Sequence, residues 1–141
     1  MLHPTQSALD EVCEIFRPDL VQTDWQDFAQ LKLPSQIARL PVYRAASSDQ
    51  ILPARLLFEG AHSGRGEVAD WSQAKIFAER AQVILEGGLN PANVGSALHS
   101  VKPFGVDVSS GVESVPGRKN PQLIEEFVRA ARQAVQCTGE R

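Results

Sequence analysis

Residues 83–113 read VILEGGLNPANVGSALHSVKPFGVDVSSGVE, and this stretch decides the fold. The apolar run Val83-Ile84-Leu85 leads into Gly87-Gly88. Asn90 then reads as a helix cap, with Pro91 at the first helical position, where a missing N–H does no harm. Val94, Ala97, Leu98 and Val101 follow at helical spacing. A second apolar run over residues 105–108 ends in Ser109-Ser110-Gly111. The order is strand, glycine turn, helix, strand, glycine turn. A helix joining two parallel strands sets both turns at the same end of the sheet. Small residues there let a ligand approach the backbone closely, and a helix N-terminus behind them favours an anion.

The pattern extends in both directions. Upstream, residues 7–16 place Leu9, Val12, Cys13 and Phe16 on one helical face, with Ser7 and Asp10 spaced as a capping box. Strands are predicted at residues 20–23, 41–45 and 55–59, and a weak helix, interrupted by Pro34, at 26–39. Asp70, with Gln73 three residues on, caps a helix that buries Ala74, Phe77, Ala78 and Ala81. Downstream, Asn120-Pro121 starts a last helix whose inward face is Leu123, Ile124, Phe127, Val128 and Ala131. Strand centres near 21, 43, 57, 84 and 107 suit a parallel α/β repeat, except for one short gap. Between 43 and 57 the connection is too short for an ordinary crossover helix, which takes about a dozen residues or more.

Composition bounds the rest. A chain of 141 residues, 43% hydrophobic and 22% charged, has the make-up of one globular domain. The net charge of -3 argues against nucleic-acid and membrane partners. No apolar run approaches the roughly 20 residues that span a bilayer. MLHPTQSALD lacks the features of a secretory signal, so a cytoplasmic location is expected. Cys13 and Cys137 lie far apart and read as free thiols. His3, His62 and His99 have no metal-ligand spacing, so no metal and no cofactor is expected. His62 and Arg65 read as loop residues near the cavity, and Trp71 as packing at a helix start. Ser109 and Ser110 lack a nearby histidine–acid pair, so nucleophilic catalysis is not expected of them.

Three motifs, in order, resemble the C-terminal part of the phosphoribosylanthranilate isomerase family. The first is the glycine-rich stretch 63–71, closing in Asp70-Trp71. The second is Gly87-Gly88-Leu89-Asn90-Pro91-Ala92-Asn93-Val94, and the third runs from the DVSSGVE of residues 107–113 into Pro116-Gly117-Arg118-Lys119-Asn120. Residues 54–135 match well and residues 4–45 loosely. The resemblance implies a partial TIM (β/α)8 barrel, about strands 4–8. Residues 1–141 would form a single partial barrel domain, with its phosphate-binding half at 83–120. It further implies an Amadori rearrangement of N-(5-phosphoribosyl)anthranilate in tryptophan biosynthesis. Gly87, Gly88, Ser109, Ser110 and Gly111 would grip the phosphate, and Asp107 would line the anthranilate or ribose end.

Departures from the family pattern shape the remaining expectations. The family's general acid is an aspartate in an LLD-type string. Here Leu56-Leu57-Phe58-Glu59 offers Glu59 one residue later, which would swap faces unless a bulge at Gly60 restored it. Strand four reads Val21-Gln22-Thr23-Asp24-Trp25, without the family's histidine and glycine. The family's strand-one cysteine base and its strand-two arginine have no counterpart in residues 1–141. The resemblance therefore leaves two functions open: an isomerase completed by further strands, or a non-catalytic sugar-phosphate-binding remnant. Unpaired sheet edges would favour a homo-oligomer or a complementing N-terminal partial barrel.

Overall fold

The computed structural model describes residues 1–44, 51–60 and 70–138. The element order begins with α1 (Gln6–Ile15), β1 (Leu20–Asp24), β2 (Ala38–Tyr43) and β3 (Arg55–Glu59). It continues with α2 (Trp71–Ala78), β4 (Gln82–Glu86), α3 (Val94–Val101) and β5 (Gly105–Val106). A short hairpin, β6 (Glu113–Val115) and β7 (Arg118–Lys119), precedes α4 (Pro121–Thr138). Strands β1 to β5 form one parallel sheet in sequence order, as the alternating pattern requires.

Alternation along the strands sorts side chains to two faces. On the outer face Tyr43, Leu56, Phe58, Val83 and Leu85 pack with Ala74 and Phe77 of α2, Val94, Ala97 and Val101 of α3, and Phe127 of α4. Phe58 and Phe77 tilt against each other at 5.4 Å between ring centroids, a favoured aromatic geometry. On the inner face Leu40, Val42 and Leu57 form a smaller cluster, with Ile84 against it. A third cluster, Leu9, Val21, Leu31 and Ile37, seats α1 on β1, and Cys13 borders it as a free thiol. Both faces of the parallel sheet therefore carry apolar side chains, which explains its apolar strands.

Several expectations need correction. Ser7 is not the cap of α1: Thr5 accepts from the Ala8 N–H at 3.2 Å, and α1 starts at Gln6. Phe16 follows the end of α1 and is 76% exposed rather than on the buried face. The weak helix at 26–39 reduces to a 3-10 turn, Asp27–Ala29, because Pro34 and a run of alternating residues favour extended chain. The last helix begins at Pro121 as expected, with Asn120 accepting from the Gln122 N–H at 2.9 Å. Its inward face is rotated, however. Phe127 and Ala134 are buried, whereas Ile124 and Val128 remain 42% and 39% exposed. The β6–β7 hairpin was not anticipated. Its two-residue turn is Pro116-Gly117, with Gly117 at φ +80°, the arrangement a type II turn demands. In the short connection from β2 to β3, residues 51–54 form no helix; residues 45–50 lie outside the described set.

Phe58 is 1% exposed at the centre of the main core. Phe58→Ala should lower unfolding free energy by about 3–5 kcal/mol in a urea titration, with the slope unchanged. A loss below about 1 kcal/mol would show that this face is not the core.

Candidate functional site

The sheet register brings the site together. Glu59 of β3 pairs with Glu86 of β4 in an unbroken run that begins at Arg55↔Gln82. Both carboxylates therefore share the inner face with Leu57 and Ile84, which lie two residues earlier. One step beyond the pairs Tyr43↔Phe58 and Leu85↔Val106, the same register sets Arg44 beside Glu59 and Asp107 beside Glu86. Arg44, Glu59, Glu86 and Asp107 thus form one row across four strands, at their carboxyl ends, above the apolar layer. No bulge is needed. Glu59 reaches the inner face directly, because its own strand alternates without interruption.

A cavity of about 260 Å³ opens above this row. Glu59, Glu86, Asp107, the Gly87-Gly88 turn and residues 108–111 line it. Every residue singled out from the sequence as catalytic or ligand-binding therefore borders one space: Glu59, Gly87, Gly88, Asp107, Ser109, Ser110 and Gly111. Glu86 also borders it and was not foreseen. The only hint in the sequence was its position, immediately before the glycine pair and one period from the end of an apolar run.

Both glycine turns are built from backbone that side chains would disturb. Gly87 and Gly88 have φ of +109° and +64°, the left-handed region that favours glycine. At Gly111 a Cβ would fall 1.8 Å from the carbonyl oxygen of Leu89. The serine turn is pressed onto the chain that follows the glycine pair. Asparagines hold that chain in place. Asn93 donates to the Gly88 carbonyl at 2.9 Å, and the Asn90 N–H donates to Asn93 Oδ1 at 2.8 Å. Asn90 caps the turn that leads into α3, as expected: its Oδ1 accepts from the N–H groups of Ala92 and Asn93, although the regular helix starts only at Val94. The second apolar run also regularises less than expected: β5 covers Gly105–Val106, and a 3-10 turn, Ser110–Val112, follows.

Lys119 braces the serine turn from the hairpin. Its Nζ donates to the Ser109 carbonyl at 2.9 Å and to Ser109 Oγ at 3.3 Å. It also pairs with Glu113 at 2.7 Å, which holds that carboxyl below its usual range.

The charges of the row are unequal. Arg44 bridges strands, pairing with Glu59 at 2.7 Å and with the buried Asp24 of β1. Glu86 has no such partner among the described residues. Burial, then the charges of Asp107 and Glu59, push its carboxyl up to about 7, against a smaller opposing effect of Arg44. Away from the cavity, His3 lies 3.3 Å from Asp24 and 3.2 Å from Asp27. Sequence spacing hid this grouping, because the partners are carboxylates rather than histidines. A hydrogen bond from Thr23 holds Asp27 below its usual range. Trp71 packs against the main core at the start of α2, beside the Asp70 cap. His62 and Arg65 lie outside the described residues, as does the side chain of Cys137.

The fold is that of the parallel, TIM-barrel-like α/β proteins, with its cavity at the carboxyl ends of the strands, where that class carries its sites. Sequence narrows the class: the family model of N-(5'phosphoribosyl)anthranilate (PRA) isomerase matches residues 17–130, and the chain belongs to that family. An N-(5'-phosphoribosyl)anthranilate isomerase of Mesorhizobium japonicum is 39% identical over 150 residues, covering 92% of this chain and 68% of the relative. One from Roseiflexus is 54% identical over 77 residues, which cover 55% of this chain and 36% of the relative. The chain thus spans at most about two thirds of these relatives' length. Among solved structures, the isomerase of Pyrococcus furiosus superposes with a TM-score of 0.70 at 28% identity, over 92% of this chain and 70% of that one. The Thermotoga maritima isomerase gives 0.74 at 24% identity, over 94% and 71%. Among the described residues no helix is long and apolar enough to cross a membrane.

Two outcomes test this geometry. Gly111→Ala should lower the melting midpoint by several degrees or more, since either turn must move to admit the methyl group; an unchanged midpoint would deny the close packing. Glu86 carries a folded-state pKa above its value of 4.5. The folded chain therefore holds a proton that the unfolded chain gives up. Stability from this group is complete below about pH 4.5 and is lost as pH rises through about 7. Urea titrations should show Glu86→Gln to be more stable than the unsubstituted chain at pH above 7, with the difference shrinking towards acid pH.

Proposed function

We propose that this chain carries the phosphate-binding and acid half of a phosphoribosylanthranilate isomerase, acting in tryptophan biosynthesis. The observation that carries the reading is the convergence of the two glycine turns and the inner-face carboxylates on one cavity. In the proposed arrangement Gly87 and Gly88 present backbone to the phosphate of N-(5-phosphoribosyl)anthranilate. Ser109, Ser110 and Gly111 close on it from the neighbouring strand. Glu59 and Asp107, at the row beneath, face the sugar and the anthranilate. Ring opening needs a proton delivered to the furanose oxygen, and rearrangement needs one removed from the neighbouring carbon. A carboxyl within reach of the sugar supplies such proton transfer, an effect of about 10²–10⁴-fold in rate.

The five strands are proposed to correspond to strands four to eight of the full barrel. Edge strands β1 and β5 would then accept the rest of the barrel, as a complementing N-terminal half or as a second copy of this chain. Phe104 and Val135, 58% exposed near the β5 edge, are apolar surface of the kind such a contact covers. A cytoplasmic site of action fits the substrate class.

Loss of phosphoribosylanthranilate fluorescence on adding the chain, alone and together with the N-terminal strands of a relative supplied in trans, is the direct assay, and a signal unchanged in both sinks the isomerase reading. Glu59→Gln should reduce the rate at least about 100-fold. One solved relative is described in complex with reduced 1-(o-carboxyphenylamino)-1-deoxyribulose 5-phosphate. Calorimetry with that compound should show binding that Gly88→Asp weakens at least about tenfold, which corresponds to about 1.4 kcal/mol. Light scattering should show self-association, and a clean monomer at high concentration would remove the second-copy contact.

A further inference from the structure

We infer that Glu86 is a catalytic residue, the proton donor to the furanose ring oxygen, working beside an ion-paired Glu59. The inference rests on the isomerase reading and gives the proton transfer to Glu86 and the stabilisation of positive charge to Glu59. Geometry sets the division. Glu59 and Glu86 are register partners on adjacent strands and line the same cavity. The Oε2 of Glu59 is taken by Arg44 at 2.7 Å, and Arg44 is itself anchored on Asp24. A carboxylate committed to a guanidinium is an acceptor, not a proton donor. Among the described residues Glu86 has no ion-pair partner, and it stands between Glu59 on one side and Asp107 on the other.

Charge bookkeeping along the row leads to the same place. Among the described residues one guanidinium, Arg44, faces three carboxyl groups: Glu59 from β3, Glu86 from β4 and Asp107 from β5. Two adjacent carboxyl groups near one another hold a shared proton more tightly than either would alone. The central member of the row has a like-charged neighbour on both sides, so the proton is best kept there. Burial reinforces this, and the carboxyl is shifted to about 7.

Position selects the atom that receives the proton. Glu86 immediately precedes the Gly87-Gly88 turn. In a phosphoribosylamine the ring oxygen lies two carbon atoms from the phosphate ester oxygen, while the aromatic ring lies at the far end. A side chain one residue below the phosphate turn therefore reaches the ring oxygen before any other reacting atom. The step balances as follows. The Glu86 O–H gives its proton to the ring oxygen. The bond from that oxygen to the anomeric carbon breaks, its electron pair staying on oxygen. The nitrogen lone pair forms the carbon–nitrogen double bond, leaving a hydroxyl, an iminium cation and the Glu86 carboxylate. The ion-paired Glu59 offers negative charge to the cation so formed. A proton returns to Glu86 when the enamine is formed by loss of the proton on the adjacent carbon.

The test is the pH dependence of turnover from about pH 5 to about pH 9, measured for the chain and for Glu86→Gln, Glu86→Asp and Glu59→Gln. The unsubstituted chain should lose kcat as pH rises through the ionisation of Glu86. Glu86→Gln should fall at least about 100-fold with binding of the reduced product compound retained. Glu86→Asp should recover part of the rate and keep an alkaline limb at a shifted position. Glu59→Gln should lower the rate and keep the limb, moved towards lower pH because the charge of Glu59 no longer raises Glu86. If Glu86→Gln turns over within about threefold of the parent, or the limb survives in it unmoved, the donor role is overturned while the isomerase reading stands. Absence of turnover by the unsubstituted chain at every pH, both alone and with the N-terminal strands of a relative supplied in trans, overturns both. Should Glu86→Gln fail to fold, the limb in Glu86→Asp decides: an unmoved limb overturns the assignment and a moved one supports it.

Discussion

The unbroken parallel register between β3 and β4 is the constraint on which the site depends. It carries Leu57 and Ile84 to the inner face together, and two residues later it delivers Glu59 and Glu86 to the same face. Extended to β2 and β5, the same register assembles a charged row directly on an apolar layer. Slipping any strand by one residue would send its carboxylate to the helix-covered side, among Phe58, Leu85 and Phe77. Core packing on the outer face and charge placement on the inner face are thus one decision. The outer cluster, with several side chains scarcely exposed, holds the register that the site uses.

Arg44 turns that register into an electrostatic arrangement. By pairing with Asp24 and Glu59 it links β1, β2 and β3 across the segment where the β2–β3 connection is shortest. It also makes neighbouring carboxylates unequal. Glu59 has a cation and Glu86 does not, although the two lie side by side. Asp107, on the far side, adds negative charge without adding a counter-ion. Asymmetry of this kind arises from which residue stands at one row position of each strand, with no special backbone geometry required.

Much of this was legible in the sequence because it rests on local rules. The Asp70 cap, the Asn120-Pro121 start and the strands around 57 and 84 follow from capping chemistry and apolar runs. So does the identity of the two glycine turns, where motif and local preference agree. What failed was of another kind. Asn93 drew no notice in the sequence, yet its amide ties the loop to the Gly88 carbonyl, a contact between residues that local preference does not foretell. The inward face of α4 was rotated because nothing in its periodicity tells which neighbour covers Ile124 and Val128. Glu59 was expected to need a bulge at Gly60 to face the cavity, because its offset was counted against a family string rather than along its own strand. Glu86 was missed because a carboxylate next to a glycine pair resembles any surface residue until its register partners are known.

The contact between Gly111 and the Leu89 carbonyl has one more consequence. Where two loops meet through side chains, the gap between them can adjust by rotamer changes, and the opening varies with what enters. Here the meeting is backbone against backbone, with no room for even a methyl group. The separation of the two turns is therefore inherited from the spacing of β4 and β5, a fixed interval of about 4.8 Å between neighbouring strands. Asn93 on one side and Lys119 on the other lock each turn to that interval. The mouth of the cavity behaves as a gauge. Its width is set by the spacing of the strands beneath the two turns, and the row of charges lies below it.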